Sequence, residues 1–221
     1  MLSHKFILSL GAILTLSAST SAFAFQNVPS THSMGQSTDL IYIGSETLED
    51  GAIEFISSLA QEGIGILENE DVQKEQREKD FRKLLHNNFD MKTIARFSLG
   101  RYWKVSSKAE QKEYLALFEN MIINVYSKRF SEYNGQVIKV ASARLTGKAD
   151  ALVSSSIVPE SGPKIRVDWR VRKKKNGKFK VIDIIVEGVS MSLTQRSDFA
   201  SVIQRGGGKV EVLLAHLRPK S

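Results

Sequence analysis

Asn176-Gly177 stands between two strand-like segments and constrains the fold of this chain more than any other pair of residues. Asparagine and glycine both tolerate the positive φ angles of a two-residue type I′ turn, which joins antiparallel strands. Such a turn predicts that Lys175 faces Lys178. This pairing then sets the register of the whole hairpin within residues 164–193.

The predicted register gives the hairpin one wholly apolar face, because side chains alternate between the two faces of a strand. Trp169 is expected opposite Ile184 on this face. On the other face Arg170 is expected opposite Asp183, and opposite charges directly across a strand pair are favourable. The remaining expected pairs are Val171 with Ile182, Val167 with Val186, and Arg166 with Glu187. The apolar face comprises Ile165, Val167, Trp169, Val171, Ile182, Ile184 and Val186.

The N-terminus has the three parts of a secretory signal peptide. Lys5 is followed by a short apolar segment, 6–16, and then by Ala22-Phe23-Ala24, the A-x-A pattern of a signal peptidase site. We expect residues 1–24 to be a signal peptide that is cleaved after Ala24. An N-terminal anchor that stays attached is the alternative. Residues 25–38 are polar and predict a flexible leader, and 39–221 predict a single domain.

The composition narrows the chemistry further. The chain has no cysteine, which excludes disulfides, thiol catalysis, cysteine-ligated metal and a lipoprotein anchor. In a cytoplasmic protein, a net charge of +7 would suggest that the protein binds nucleic acid. For an exported protein the same charge favours contact with anionic lipid or acidic protein surfaces, and we expect no nucleic-acid partner.

Hydrophobic periodicity predicts helices first, then an antiparallel meander, then helices again. Ser107 and Glu110 form the capping box of the longest helix. This order predicts an α+β fold with helices packed on one face of a twisted four-stranded antiparallel β-sheet. The predicted helices are 39–68, 70–87, 90–99, 107–132, 194–205 and 208–217; the first two strands are 136–146 and 149–158.

The sequence favours neither a catalytic triad nor a metal site. Ser190, Asp198 and His216 follow one another in the chain order of a hydrolase triad. A nucleophile elbow needs a second glycine and a parallel sheet, and both are missing here, so Ser190 is interpreted as a helix cap. No two histidines have metal-ligand spacing. We therefore expect no catalytic residue, no metal and no cofactor.

The apolar residues of the long helix are more numerous than one buried stripe requires, and the second hairpin strand is apolar on nearly both faces. Two interpretations remain open from these residues alone. They form ordinary core, or they enclose a cavity between sheet and helices that accepts an apolar ligand.

Four segments carry a resemblance to a known family: FDMKTIARFSLGRYW (89–103), NVYSKRF (124–130), VDWRVRKKKNGKFKVIDIIVEGVS (167–190) and QRSDFASVIQRGG (195–207). In sequence and order they resemble the toluene-tolerance family of ABC-transporter auxiliary proteins. These are the periplasmic phospholipid carriers of the Mla pathway, with a hopanoid-associated branch. Thr194-Gln195-Arg196 departs from the family's usual Asn-Tyr-Arg.

The resemblance implies a helical layer against a twisted antiparallel sheet, with an apolar cavity that holds acyl chains as cargo. It also implies a monomer that shuttles lipid between an inner-membrane MCE-protein/ABC transporter complex and an outer-membrane lipoprotein complex. A hopanoid-associated lipid is the alternative cargo within this family, and a secreted serine hydrolase is the alternative of a different class. Carried onto this sequence, the pocket walls are Phe97, Tyr102, Trp103, Phe118, Ile122, Tyr126, Val167, Trp169, Val171, Ile184, Val186, Val189 and Met191.

Overall fold

The structure is a computed structural model that describes residues 47–69, 71–127 and 133–219. These residues form seven α-helices and one five-stranded antiparallel sheet in the order β1-β2-β3-β4-β5. The α+β class expected from the sequence is confirmed. The predicted signal peptide and leader, and residues 39–46 of the predicted first helix, lie outside the described residues.

The elements follow the predicted order with changed ends. The helices before the sheet are α1 Leu48–Glu68, α2 Lys74–Asn88, α3 Met91–Leu99, α4 Tyr102–Val105 and α5 Lys108–Ser127. The strands are β1 Val137–Leu145, β2 Asp150–Val158, β3 Ile165–Lys173, β4 Phe179–Val186 and β5 Val189–Ser190. The last helices are α6 Met191–Arg205 and α7 Val210–Leu217. The short helix α4 was not predicted.

The expected four-stranded sheet is wrong in strand number, because β5 adds a fifth strand of two residues. Glu187 and Gly188 connect β4 to β5 with φ angles of 49° and 81°. Two consecutive positive φ angles are the signature of a type I′ turn. The type I′ turn expected at the tip of the long hairpin therefore occurs at this shorter hairpin instead.

The predicted register of the long hairpin holds away from its tip and fails at the tip. Trp169 lies opposite Ile184 and Arg170 opposite Asp183, as expected. At the tip, however, Lys174 N–H donates to the carbonyl of Lys178 at 2.8 Å, so the loop has three residues. The pairing of Lys175 with Lys178 is wrong.

A β-bulge corrects this shift of one residue. Gly177 has a φ of 80°, which fits a three-residue loop whose last residue is left-handed. Val171 then lies opposite Val181, and the register changes between Arg170 and Val171 so that Ile182 has no direct partner. The expected pair of Val171 with Ile182 is therefore wrong, and Val181 takes the predicted place of Ile182 on the apolar face.

Helix α1 covers the apolar face of the sheet. Its apolar residues recur at helical spacing, and Ile56 and Leu59 join the core cluster that contains Val153 and Val171 of the sheet. Helices α2 and α5 add Leu84, Leu85 and Ile123 to the same cluster. Thr47 and Asp50 begin α1 with a reciprocal capping box, which fixes where the helix starts.

Helix α5 is covered on more than one side. Ile123 faces the sheet core, whereas Tyr114 and Phe118 pack against Phe199 of α6 with ring centroids 6.0 and 6.3 Å away. The hydroxyl of Tyr114 donates to the carbonyl of Ala95 at 2.9 Å, and burial raises the pKa of this phenol. Part of the wide apolar surface of this helix is therefore helix–helix core.

Candidate functional site

Six of the thirteen candidate residues share one face of the sheet, the sixth being Val189 of β5 opposite Val186. This face changes character along its length. Val171 and Val167 are buried, whereas Trp169, Ile184 and Val186 are only partly buried. Toward the hairpin tip α1 and α2 cover this face and Val171 is completely buried. Away from the tip Val167 is still buried, but its neighbours are less covered. The opposite end of the sheet face keeps apolar side chains that the described helices do not fully cover.

The same open end extends across the neighbouring strands. Ile157 of β2 lies opposite Ile165 of β3, and Ile138 of β1 lies opposite Ile157. All three isoleucines are partly buried. Burying apolar area is worth roughly 25 cal/mol per Å², so a patch of partly exposed isoleucine, valine and tryptophan favours an apolar cover.

Trp169 is held in place by a hydrogen-bonded chain that sequence reasoning missed. Its indole Nε1–H donates to Ser155 Oγ at 2.9 Å, and the Ser155 hydroxyl donates to the carbonyl of Val167 at 2.9 Å. The polar edge of the indole is thus satisfied by the protein itself. What Trp169 offers to the surface is its apolar ring.

Helix α5 carries two candidates at the margin of the core cluster that the sheet face shares with α1 and α2. Ile122 packs against the core cluster and remains partly buried. Tyr126, four residues later on the same helix, is 42% exposed, and its ring lies 6.5 Å from that of Phe81. Phe118 is fully buried in the aromatic cluster with Phe199 and lies within packed core.

The remaining four candidates lie on α3, α4 and the first residue of α6 rather than on the sheet face, whereas Val189 of β5 is the cross-strand partner of Val186. Phe97 is 43% exposed and Val189 is 51% exposed, so both present apolar surface to the outside. Tyr102 is buried, whereas Trp103 and Met191 are partly buried. The structure therefore spreads the candidates over the sheet face, the packed core around Phe118 and the helices α3 and α4.

The basic residues of the long hairpin mostly have structural partners. Arg172 forms a two-point ion pair with Asp150, with N–O distances of 2.6 and 2.7 Å, and these hydrogen bonds lower the pKa of the Asp150 carboxyl. Lys180 Nζ donates to the carbonyls of His86 and Asn87 at 2.9 and 2.6 Å. The Arg172 pair joins β3 to β2, and the Lys180 contacts hold the hairpin to the end of α2.

Asp90 ties the same hairpin to the start of α3. Its carboxylate accepts from Lys174 Nζ at 2.6 Å and from the backbone N–H of Thr93 at 3.0 Å, where it caps the helix. Burial acts to raise the pKa of Asp90, but the hydrogen bonds from Lys174 and Thr93 outweigh it and the pKa is lowered. The ammonium group of Lys174 is therefore engaged in a structural ion pair within the protein.

Ser190 caps helix α6, as the sequence suggested. Its hydroxyl oxygen accepts a hydrogen bond from the backbone N–H of Leu193 at 3.1 Å. Its O–H donates a hydrogen bond to Asp183 Oδ2 at 2.6 Å. Asp183 also accepts the N–H of Ser192 at 3.1 Å. Within the described ranges no hydrogen bond joins Ser190 to His216, the base that the hydrolase interpretation requires.

A polar pocket of about 300 Å³ lies between α1 and α2, and none of the thirteen candidates lines it. Its walls include Glu62, Asn69, Arg77, Asp80 and Lys83. Among the residues that the structure describes, no group of three or more His, Cys, Asp or Glu side chains could hold a metal ion. In that same part of the chain, no helix is long and apolar enough to span a membrane.

Comparison with protein families gives a match over most of the chain. A family model described as MlaC protein matches residues 57–219. The toluene tolerance protein ttg2D of Pseudomonas putida is 23% identical over 111 residues, which are 50% of this chain and 51% of that protein. The intermembrane phospholipid transport system binding protein MlaC of Haemophilus influenzae is 24% identical over 113 residues, which are 49% of this chain and 52% of that protein. The chain thus spans about half the length of these two relatives.

A solved structure shares the fold. It is a phospholipid-binding protein from Ralstonia solanacearum in complex with a phospholipid, with a TM-score of 0.65 and 23% sequence identity. The superposition covers 75% of this chain and 94% of the other. A helical layer on an antiparallel sheet is therefore an arrangement that the two proteins have in common.

Proposed function

The chain belongs to the MlaC protein family, and on this basis we propose that it is a periplasmic phospholipid carrier. In this proposal it moves phospholipid between inner- and outer-membrane complexes and so maintains the lipid composition of the outer membrane. Two similarities support the cargo. One relative is named as a binding protein of intermembrane phospholipid transport, and the solved relative contains a phospholipid.

The observation that carries the proposal is the open end of the apolar sheet face. Trp169, Ile184 and Val186 stand there on one face and are only partly covered by the described helices. Acyl chains lying on this face would complete the burial that α1, α2 and α5 begin. Ile122 and Tyr126 would line the side of the site formed by α5.

A carrier of this kind meets a clear physical requirement. Each methylene moved from an apolar environment into water costs about 0.8 kcal/mol, so a chain of ~16 carbons resists desorption by ~13 kcal/mol. Crossing an aqueous compartment at a useful rate therefore requires a protein that keeps the chain dry. The lining residues act as walls, and the proposed function includes no covalent chemistry.

The proposed carrier has three parts along the chain. Residues 1–24 direct export and are cleaved, 25–38 form a leader, and 39–221 form the single lipid-binding domain. Its proposed partners are an inner-membrane MCE-protein/ABC transporter complex and an outer-membrane lipoprotein complex, between which it moves as a monomer. Phospholipid is the cargo rather than a cofactor.

Transfer of lipid between two vesicle populations tests the function. Donor vesicles carry a fluorescent phospholipid and acceptor vesicles do not. The two populations are separated by a porous membrane that retains vesicles but lets protein through. Transfer that rises in proportion to added protein is the expected result. Transfer no faster than spontaneous desorption, with correctly folded protein present, would contradict the carrier function.

A further inference from the structure

Helices α3 and α4 and the start of α6 carry basic and apolar side chains that the packing leaves outside. Residues 91–107 contain the four cations Lys92, Arg96, Arg101 and Lys104 and no acidic residue. Apolar side chains stand among them: Phe97 and Val105 are 43% and 76% exposed, and Leu193 at the start of α6 is 56% exposed. We call Arg96, Phe97, Lys104, Val105, Leu193 and Arg196 the α3–α6 surface.

The arginines of this region stack on aromatic rings instead of pairing with carboxylates. The guanidinium carbon of Arg96 lies 5.3 Å from the ring centroid of Trp103, and that of Arg196 lies 5.4 Å from Phe97. Arg101 stacks on its neighbour Tyr102 at 5.0 Å and donates to its hydroxyl at 3.0 Å, so it is not counted in the α3–α6 surface. Over the described residues, none of these three arginines forms a salt bridge, whereas Arg172 and Lys174 of the hairpin do.

Stacking leaves the donors of a guanidinium free for another acceptor. A guanidinium that lies face-on to a ring keeps its N–H bonds in its own plane, directed away from the ring. A phosphate can accept two of these N–H bonds at once. A stacked arginine therefore places a positive charge and an aromatic ring next to each other on the protein surface.

The pieces of this surface are joined to one another. The Arg196–Phe97 contact connects α6 to α3, and the Arg96–Trp103 contact connects α3 to α4. Gly100 allows the close approach of α6, because a Cβ at this position would lie 2.7 Å from Arg196 Nε. Leu193 stands one turn before Arg196 on the same side of its helix.

We propose that the α3–α6 surface docks on an anionic phospholipid membrane. The cations complement lipid phosphates, and the separate apolar side chains between them can enter the headgroup region without a matching groove. The choice of a membrane rests on the proposed function, since a lipid carrier of this kind works at the surfaces of two membranes. The α3–α6 surface shares no residue with the proposed acyl-chain lining of Trp169, Ile184, Val186, Ile122 and Tyr126, so variants of each test the two proposals independently.

Co-sedimentation of the purified exported protein with vesicles tests this. We expect binding to vesicles of equal parts phosphatidylcholine and phosphatidylglycerol, little binding to pure phosphatidylcholine, and loss of binding as salt is raised. One cation near an anionic surface contributes about fivefold in binding, so Arg96→Gln with Lys104→Gln should weaken binding by roughly 25-fold. Phe97→Ser with Leu193→Ser should weaken it as well.

Matched variants elsewhere are the controls. Leu145→Ser changes an apolar side chain of β1 that is 51% exposed, and Lys175→Gln with Lys178→Gln removes two cations of the hairpin tip. Neither should change vesicle binding. Circular dichroism and co-purified lipid, measured on every variant, separate docking from folding and from cargo binding.

Three results would overturn the docking proposal. One is absence of binding to anionic vesicles by a protein that still carries lipid. Another is binding that survives all changes on the α3–α6 surface but is lost with the hairpin-tip cations. The third is retention only by membranes that contain their native proteins, because the partner would then be a protein. Absence of cargo with intact vesicle binding would instead count against the carrier function alone.

Discussion

Replacing Val186 by tryptophan tests whether this residue lies on an open apolar surface or in a packed core. Val186 is partly buried at the open end of the sheet face, opposite Val167. Val153, on the same face of β2, is completely buried within the core cluster. The same substitution at the two positions therefore adds the same side chain to two different environments.

The expected magnitudes differ between the two sites. Extra bulk in a dense core typically costs ~1–3 kcal/mol, so Val153→Trp should lower the free energy of unfolding by that amount or more. Val186→Trp should leave it nearly unchanged, because the indole can extend over the open face. If the indole displaces about three methylenes of the cargo, lipid binding weakens by ~2.4 kcal/mol, which is ~50-fold.

The assay combines denaturant unfolding with quantification of co-purified lipid. Val186→Trp should keep the unfolding midpoint and lose most of its lipid. Val186→Ile is the matched conservative control and should keep both. If Val186→Trp destabilises the protein as much as Val153→Trp does, Val186 belongs to ordinary core and this location for the acyl chains is wrong.

Three further predictions concern the export signal, the cap of α6 and an ion pair. N-terminal sequencing of the exported protein should show cleavage after Ala24; a mature chain that still begins at the initiator methionine would contradict the shuttle. Ser190→Ala should lower stability by ~1 kcal/mol, since it removes a helix cap and a hydrogen bond to Asp183, yet lipid transfer should persist. Complete loss of transfer by folded Ser190→Ala protein would favour the hydrolase instead. Because the pKa of Asp150 is lowered by Arg172, its contribution to stability is present above the unfolded pKa of about 3.9 and is lost as pH falls through the folded pKa. Acid unfolding curves of Asp150→Asn should therefore depend less on pH below about 4 than those of the wild type, and identical curves would exclude this contribution.

The hairpin shows how far sequence patterns determine a sheet. Alternation of apolar residues was sufficient to pair Trp169 with Ile184, because a slip of one residue would have exposed the apolar set. The turn type was mistaken because Asn176-Gly177 suits a type I turn followed by a left-handed glycine as well as a type I′ turn. The compensating bulge at Ile182 cannot be recognised from the sequence, because nearly every residue around it is apolar. The two residues of β5 are too few to show alternation.

The candidate site could be predicted only in part, for a related physical reason. Periodicity assigns Trp169 and Val186 to one face, but it does not say how much of that face a helix covers. The partners of Trp169 and Lys174 are distant in sequence: Ser155 is 14 positions away and Asp90 is 84. The exposed position of Phe97 likewise depends on how α3 packs against α6, which helical spacing does not determine.

Native mass spectrometry of the exported protein, purified without added lipid, tests the central claim most directly. The carrier account predicts a species whose mass equals that of the chain plus bound phospholipid, and release of that phospholipid when the protein unfolds. The same spectrum should show mainly the unliganded chain for Val186→Trp. A wild-type protein that is folded and monomeric but carries no phospholipid, and takes none up from vesicles, would contradict the account.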